Sequence, residues 1–324
     1  MRAVYDEALV WDTHSGFCPD PSADLENLEQ WRSAGVTFLS VNVGFDLFRW
    51  EQTIQTLAAF RRWIATHDDR FVLADSVAAI RDAKYTGRMA IAFDLEGMNV
   101  LDGRIEMLQL YRDLGVRQIL FAYNRNNGAG GGCHDADVGL TDFGRAAIDE
   151  MNRLGITVDV SHCSRRTSLE AIAHSKKPVI FSHSNPRTVW NHERNIDDEQ
   201  IVACATGGGV IGVVGLNHFL GPGDAVERMV DHVEYLLKLA GPAHVGIGLD
   251  YAFPVDGTID VDALVKANPE YWPLKSGYGK EKVEFAPPTA LPAVAQALLN
   301  RGHAEDVVRG VLGENFARVA SETW

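Results

Sequence analysis

The sequence predicts a parallel (β/α)8 TIM barrel, a member of the α/β fold class. Short apolar, β-branched runs alternate with amphipathic stretches along the chain, and eight such runs can be counted, the number that closes a barrel. A doubly wound open sheet stays open as an alternative, because a count of strands does not show closure. A third observation favours the barrel: five of the eight runs are followed by a histidine or carboxylate suited to metal binding.

The eight candidate strands are apolar runs of four to seven residues. They are Ala8–Trp11, Thr37–Val43, Met89–Asp94, Gln118–Tyr123, Thr157–Val160, Pro178–Ser182, Val210–Val214 and Val245–Leu249. Helices are expected between them, including Arg104–Leu114, Gly144–Leu154 and Thr167–His174. The last of these should open on a capping box, because Thr167-x-x-Glu170 has the required spacing.

Residues 253–290 interrupt this alternation. They are rich in proline, aromatic and charged residues and follow the last candidate strand, where loops cover the end of a barrel. We therefore expect a lid-like loop over 253–290, followed by a C-terminal helical region over Leu291–Ser321. Although 324 residues would fill roughly two average domains, no linker divides the chain, and the sequence predicts a single barrel domain over residues 1–324.

Composition and charge restrict the classes of partner. Hydrophobic residues make up 46% of the chain and charged residues 23%, typical of a globular protein. The net charge is −14, whereas a nucleic-acid partner would require a basic face. No apolar stretch is long enough for a signal peptide or a transmembrane helix, and the four cysteines form no CxxC pair. We expect a cytoplasmic protein without nucleic-acid or membrane partners.

Polar residues just beyond the candidate strands form the predicted functional site, because functional side chains of a parallel barrel lie at the carboxyl ends of its strands. They are Asp12, His14, Glu96, Tyr123, Asn124, His162, His183 and Asp250. Histidine and carboxylate are the ligands that zinc or a similar divalent ion prefers when it must stay open to substrate. One strand-end histidine would more often be structural, but five suitable residues at five strand ends indicate a metal site.

With these positions in view, the chain resembles the renal (membrane) dipeptidase family of zinc metallopeptidases. The similarity is strongest in VDVSHCS…KKPVIFSHSNPRTVWNHERNIDDEQI, over Val158–Ile201, and extends to IAFDLEG, LTDFGRAAIDEMNRLGI, HVGIGLD and VLGENFARV. The family fold is a (β/α)8 barrel. The resemblance implies a metal-dependent hydrolase that cleaves dipeptides or related small amides bearing a carboxylate, by attack of hydroxide held on the metal.

The resemblance also implies individual roles. The implied metal ligands are His14, Glu96, His162, His183 and Asp250. Among them, Glu96 resembles the carboxylate that bridges two zinc ions, and Asp250 the proton shuttle for the attacking water. Arg194 resembles the arginine that holds the carboxylate of the substrate, a task suited to a bidentate guanidinium. Tyr123 and Asn124 complete the expected substrate-binding set, and Tyr123 is expected to assist catalysis.

Three departures from the family pattern alter these expectations. His14-Ser15-Gly16 replaces His-x-Asp, which removes one carboxylate ligand, and Asp12 lies too far back along its strand to replace it. Tyr123 replaces a histidine, and a phenol can donate to an oxyanion without carrying positive charge. Asp250-Tyr-Ala-Phe253 replaces Asp-Phe-Asp-Gly.

These departures predict one tightly bound zinc ion at Glu96, His162 and His183, with a second site that is weak or empty. The expected substrate is a dipeptide-like small molecule, and because many relatives dimerise, a homodimer is among the expected states. Two alternatives stay open. One is a diverged family member that hydrolyses a non-peptide amide, a cyclic amide or a lactone, and the other is a non-catalytic barrel that binds a ligand.

Overall fold

The computed structural model describes residues 3–16, 19–252, 261–280 and 282–324, with backbone only at residues 3, 261 and 262. Within these residues every strand pairing is parallel. The strands are β1 (Trp11–Ser15), β2 (Phe38–Phe45), β3 (Phe71–Leu73), β4 (Met89–Glu96), β5 (Val116–Leu120), β6 (Thr157–Asp159), β7 (Val179–Ile180), β8 (Ile211–Val213) and β9 (Val245–Ile247).

Eight of these strands form a closed ring. Six pair in the order β1-β2-β4-β5-β6-β7, and β8 pairs with β9. A parallel bridge between Phe181 and Ile211 joins β7 to β8. Between β9 and β1, the amide of Asp250 donates to the carbonyl of His14 at 3.0 Å. The predicted (β/α)8 class is therefore confirmed, and the open sheet is excluded.

Asp12 strengthens the seam between β1 and β9. Its buried carboxylate accepts from the Leu249 amide at 2.9 Å and from Trp31 Nε1 at 2.8 Å. Burial raises the pKa of Asp12 to about 7, and these hydrogen bonds partly offset that effect. Asp12 therefore helps to close the barrel, and both of its carboxylate oxygens are engaged by these two donors.

All eight predicted strands overlap observed ones, but two details differ. The prediction Ala8–Trp11 reaches β1 only at Trp11, because the rest of β1 consists of buried polar residues, which do not form an apolar run. The sequence also missed β3, a three-residue strand that pairs with the first half of β4 and lies outside the ring. A strand this short shows no alternation by which it could be recognised.

Helices surround the ring. They are α1 (Ala3–Glu7), α2 (Glu29–Ser33), α3 (Trp50–Thr66), α4 (Val77–Tyr85), α5 (Met107–Asp113), α6 (Asp142–Leu154), α7 (Arg165–His174), α8 (Asp198–Thr206), α9 (Asn217–Leu220), α10 (Ala225–Ala240), α11 (Val261–Ala267), α12 (Leu291–Asn300), α13 (Glu305–Arg309) and α14 (Asn315–Thr323). Among the described residues, none of these helices combines the length and apolarity needed to cross a membrane.

The predicted capping box at Thr167 is wrong. Helix α7 begins one turn earlier, because the side chain of Ser164 accepts a hydrogen bond from the Thr167 amide and caps the helix. A complete capping box opens α8 instead, where Asp197 and Gln200 bond each other's backbone amides.

Segment 253–290 is partly helical. Residues 253–260 of this predicted loop lie outside the described residues, and the remainder contains α11 and short 3-10 turns. Residues 268–280, which we call the strap, pack on the carboxyl end of the barrel: Trp272 and Tyr278 join a cluster with Phe45 and Phe219. The expected C-terminal helical region begins at Leu291, as predicted, and comprises α12 to α14.

The amino-terminal end of the barrel is covered by the end of the chain. The ring of Trp324 lies 5.8 Å from those of Trp11 and Phe38, at the starts of β1 and β2. Trp324 Nε1 donates to Thr157 Oγ1 at 3.0 Å, at the start of β6. Functional side chains are therefore left to the opposite, carboxyl end.

Candidate metal centre

The five predicted metal ligands converge at the carboxyl end of the barrel. Glu96 Oε1 lies 3.4 Å from His162 Nε2 and 3.5 Å from His183 Nε2. His14 Nε2 lies 3.6 Å from Glu96 Oε1 and 3.5 Å from Asp250 Oδ1. Among the described residues, two sets have ligand atoms within 4.8 Å of one another. They are Glu96, His162 and His183, which we call the first group, and His14, His183 and Asp250, which we call the second group. The groups share His183.

Unusual backbone geometry accompanies three residues of this end. Asn124, His162 and Asp250 have φ values of 59°, 59° and 54°, and Asp102 is the fourth such non-glycine residue among those described. Each of the three lies within four residues of the end of β5, β6 or β9. Such conformations cost about 1 to 3 kcal/mol each and cluster at functional sites.

The tautomer of His162 is fixed by Asn124. His162 Nδ1 lies 2.7 Å from Asn124 Oδ1. The orientation of this amide follows from its other end, where Nδ2 donates to the Tyr271 carbonyl at 3.0 Å. Because Asn124 Oδ1 only accepts, the proton of neutral His162 is on Nδ1, and Nε2 carries a lone pair.

The tautomer of His183 is fixed in the same sense. Its Nδ1 lies 2.7 Å from Ser182 Oγ, and that hydroxyl donates its own proton to Asp159 Oδ2. Asp159 also accepts from the Ser161 amide at 2.9 Å, so its carboxylate is well supplied with donors. Ser182 Oγ must therefore accept from His183 Nδ1, which again leaves a lone pair on Nε2.

A cation fits between these two histidines. Their Nε2 atoms lie 2.9 Å apart with a lone pair on each, an arrangement that is repulsive without a positive charge between them. Burial lowers the pKa of both imidazoles well below the ordinary value, and the Arg194 guanidinium adds to the effect. Two neutral imidazoles beside the Glu96 carboxylate form a donor set suited to a divalent metal ion.

His14 has a different environment. Its Nδ1 lies 3.2 Å from Asp94 Oδ1, and its ring stacks on that of His183 at 4.0 Å. Burial favours the neutral ring, but the carboxylates of Asp94, Glu96 and Asp250 outweigh burial and raise the pKa of His14 to about 10. His14 Nε2 has no hydrogen-bond partner among the described residues, as expected of a metal-binding atom.

Asp94 and its partners were missed by the sequence analysis. Asp94 accepts from Ser40 Oγ at 2.6 Å and from Asn42 Nδ2 at 3.2 Å. Asn42 Nδ2 also lies 3.2 Å from Glu96 Oε2. The spacing of these residues could have revealed them, because strand residues two apart face the same side of a sheet. Asp94 has this spacing from Glu96 on β4, and Ser40 has it from Asn42 on β2.

Gly16, at the position of the missing carboxylate, has little space for a side chain. A Cβ at this residue would lie 2.8 Å from Asp250 Oδ1, 2.9 Å from the Asp250 carbonyl oxygen and 3.2 Å from Ala252 Cβ. The absence of a side chain at Gly16 therefore accommodates Asp250 in its observed position.

Tyr123 lies beside the first group. Its ring stacks on His162 at 4.4 Å and meets that of Trp272 edge-on at 5.8 Å. Burial and the negative charges of Glu96 and Asp250 raise the pKa of Tyr123 well above its ordinary value. The phenol therefore remains protonated at neutral pH and is available as a hydrogen-bond donor.

Arg194 is buried beneath the same end of the barrel, with only 2% of its surface exposed. Its guanidinium donates to the His183 carbonyl at 2.7 Å and to Ser184 Oγ at 2.9 Å, and it lies 5.7 Å from the centre of the Phe219 ring. Its Nε has no hydrogen-bond partner among the described residues. A positive charge therefore lies next to the ligands with part of its donor capacity unused.

Asn124, predicted to bind substrate, has protein partners at both ends of its amide. Oδ1 contacts His162 Nδ1 and, at 3.4 Å, Cys133 Sγ, while Nδ2 contacts the Tyr271 carbonyl. Its side chain thus lies between a candidate metal ligand and the strap.

A closed parallel barrel with histidines and carboxylates at its carboxyl end defines a metal-binding barrel of the hydrolase type. The model of the membrane dipeptidase family (Peptidase family M19) matches residues 20–267. The chain belongs to this family, as its motifs predicted.

Individual relatives agree with this assignment. An uncharacterised dipeptidase of Schizosaccharomyces pombe is 36% identical over 214 residues, which cover 61% of this chain and 50% of that protein. The chain therefore spans about half the length of this curated relative. The solved structure of an amidohydrolase from Pseudomonas aeruginosa is 30% identical with a TM-score of 0.88, covering 99% of this chain and 98% of the other.

A second solved structure shares the fold at lower identity. It is a metallopeptidase from Rhodobacter sphaeroides liganded with a phosphinate mimic of the dipeptide L-Ala-D-Ala, 20% identical with a TM-score of 0.76 over 98% of this chain and 99% of the other.

Proposed function

We propose that the protein is a metal-dependent hydrolase of dipeptides or related small amides that carry a carboxylate. The observation that carries the proposal is the pair of opposed lone pairs on His162 and His183, 2.9 Å apart beside Glu96, in a member of the membrane dipeptidase family. The dipeptide mimic bound by the Rhodobacter sphaeroides relative supports this class of substrate.

The proposed metal is one zinc ion held tightly by the first group, because two neutral imidazoles and a carboxylate are typical of open zinc sites. The second group is proposed to bind weakly or stay empty. It lacks a carboxylate at Gly16, and His14 must first lose a proton whose pKa is about 10. When bound, zinc polarises the scissile carbonyl and lowers the pKa of a coordinated water to about 7.

The residues around the centre divide the remaining tasks. The Arg194 guanidinium binds the carboxylate of the substrate and so places the scissile amide near Glu96. The Tyr123 phenol donates a hydrogen bond to the carbonyl oxygen as negative charge develops there. Asp250 accepts a proton from the attacking water and transfers it to the leaving amine as the C–N bond breaks. Burial raises the pKa of Asp250, which suits a group that must hold a proton transiently.

A second candidate substrate class follows from Tyr123. The protonated phenol offers a hydrogen bond but no charge, and this favours carbonyl groups that are easier to polarise than a peptide, such as cyclic amides and lactones. The 30% identical relative is described as an amidohydrolase, which is consistent with either class.

Zinc content per chain and turnover on a substrate panel test the proposal together. The panel contains L-Ala-D-Ala, L-Ala-L-Ala, their C-terminal amides, a cyclic amide and a lactone. We expect about one tightly bound zinc ion and cleavage of the free dipeptides over their amides. Two tightly bound ions would contradict the single-zinc assignment. Bound zinc with turnover of only the cyclic substrates would favour the second class, and protein without bound metal would indicate a ligand-binding barrel.

The single-domain organisation over residues 1–324, the lid function of 253–290, the homodimer, the cytoplasmic location and the absence of nucleic-acid or membrane partners stay predictions from the sequence.

A further inference from the structure

One amide connects the strap to a candidate metal ligand. Asn124 is fully buried. Its Nδ2 donates to the Tyr271 carbonyl of the strap at 3.0 Å, and its Oδ1 lies 2.7 Å from His162 Nδ1. The Asn124 amide therefore makes one hydrogen bond to the strap and one to a candidate metal ligand.

These two contacts depend on each other. The amide of Asn124 can adopt two orientations that exchange Oδ1 and Nδ2, and the Tyr271 carbonyl accepts a hydrogen bond only from Nδ2. In the observed orientation Oδ1 therefore faces His162, and the ring keeps its proton on Nδ1. In the reversed orientation Nδ2 would face His162 Nδ1, which favours a proton on Nε2, the atom that must bind the metal.

We propose that Asn124 is a positioning residue that couples the seating of the strap to metal binding at the first group. The inference rests on the zinc site proposed above. With the strap seated, Tyr271 holds Asn124 in the orientation that keeps His162 Nε2 available to the ion. By linkage, the bound ion must stabilise the seated strap by the same factor by which the seated strap strengthens binding.

Other contacts hold the strap independently of Asn124. The Ser276 carbonyl lies 2.7 Å from His192 Nε2, and Ser276 Oγ donates to Glu193 at 2.6 Å. The aromatic contact between Trp272 and Tyr123 adds to them. Substitution of Asn124 should therefore remove the coupling and leave the strap folded on the barrel.

Two substitutions of Asn124 separate its two contacts. In Asn124→Asp, measured at alkaline pH so that the new side chain is ionised, a carboxylate oxygen still accepts from His162 Nδ1, but the other oxygen carries no proton to donate to the Tyr271 carbonyl. In Asn124→Gly, both contacts are lost, and glycine tolerates the φ of 59° without strain. Ser182→Ala is the matched control, because it removes the support of His183 without touching the strap.

The experiment combines zinc affinity, from competition with a chelator, with hydrogen exchange of strap amides with and without saturating zinc. In the unsubstituted protein, zinc should slow exchange at Tyr271 and Trp272 by a factor of about 5 or more. Asn124→Asp should bind zinc close to the original affinity without this protection. Asn124→Gly and Ser182→Ala should each lose about 10- to 100-fold in affinity, but at saturating zinc only Ser182→Ala should keep the protection.

Three results would overturn the coupling: no effect of zinc on strap exchange in the unsubstituted protein, full protection in Asn124→Asp, or equal loss of protection in Ser182→Ala. If zinc binds and dipeptides turn over while the strap is unresponsive, only the coupling fails. If no zinc binds, the proposed function fails with it.

Discussion

His162 and His14 contact the same carboxylate, Glu96, yet the protein prepares them for opposite protonation states. His162 is held by a neutral amide that accepts its Nδ1 proton, and burial lowers its pKa. His14 lies among Asp94, Glu96 and Asp250, which raise its pKa to about 10. At pH 7 the first ion meets lone pairs on both imidazoles and displaces a proton only from Glu96, whose pKa burial raises to about 8, whereas the second ion must displace the proton of the His14 ring.

This difference teaches that the charges around each histidine, and not the types of ligand alone, decide how readily each group binds a metal. Both groups contain histidine and carboxylate, and both would be equally attractive from composition alone. The amide of Asn124 and the relay from Ser182 to Asp159 keep the first group ready. In the second group, Asp94 holds the Nδ1 proton of His14, while the carboxylates of Glu96 and Asp250 face Nε2, where a metal ion must replace a proton.

Removal of the shared ligand should have the largest effect. His183→Ala takes one ligand from each group, so we expect loss of tightly bound zinc together with turnover. Because metal polarisation contributes several kcal/mol to the barrier, kcat/KM should fall at least about 1000-fold at 1.36 kcal/mol per factor of ten. His174→Ala, in α7 and outside the site, is the control. A His183→Ala protein with full zinc content would show that the first group is assigned incorrectly.

The pH dependence of zinc affinity separates the two groups directly. Burial raises the pKa of Glu96 to about 8, so affinity for the first ion should rise about tenfold per pH unit up to that value and then level off. The neighbouring carboxylates raise the pKa of His14 to about 10 before any ion binds, so affinity for the second ion should continue to rise above pH 8, where affinity for the first has levelled off. Chelator competition from pH 6 to 10 measures both.

The control for this profile is His14→Asn, which removes the titrating ring of the second group. It should abolish the rise above pH 8 for the second ion. Because the charged His14 ring lowers the pKa of Glu96, the pH at which affinity for the first ion levels off should move upward. Identical pH profiles for the two ions in the unsubstituted protein would contradict the electrostatic difference between the groups.

Substitution of Arg194 should change the turnover of carboxylate-bearing substrates more than the difference in metal affinity between the two groups. It donates to the carbonyl of His183, the ligand that the groups share. Arg194→Lys keeps the charge but loses the bidentate fork. Because a hydrogen bond to a charged group contributes about 1.5 to 3 kcal/mol, kcat/KM for L-Ala-D-Ala should fall about 10- to 100-fold. The C-terminal amide of the same dipeptide has no carboxylate to bind and should lose distinctly less, through the weaker support of His183 alone. An equal loss with both substrates would argue against carboxylate binding.

The sequence predicted which residues would converge at this end of the barrel because each candidate ligand follows an apolar run, where the polarity change is visible. It did not predict Asp94 and Asp159, because both lie inside such runs, as in Val158-Asp159-Val160, where one polar residue only weakens the signal for a strand. Their function depends on contacts with residues distant in sequence, such as Ser40 for Asp94 and Ser182 for Asp159.

The fold was predictable to the level of its class and the order of its main strands. The displaced start of β1 and the missing β3 have a common cause, since both strands depend on tertiary burial more than on local pattern. The cap at Ser164 was missed because Ser164 and Thr167 are both suitable N-cap residues and lie three positions apart. The conformation of the loop before the helix determines which of them caps it.

The smallest effect is expected at Gly16, where the second group differs most from the family pattern. Gly16→Ala adds only a Cβ, which would lie 2.8 Å from Asp250 Oδ1. This crowding should lower the free energy of unfolding by about 1 to 3 kcal/mol, measured by denaturant titration. Gly16→Asp adds the same Cβ together with a carboxylate, so a comparison of the two variants separates the steric cost from the gain of a ligand. Tighter binding of a second ion in Gly16→Asp than in Gly16→Ala would show that the missing carboxylate weakens the second group. Equal binding would instead assign the weakness to the proton on His14, because that proton is present in both variants.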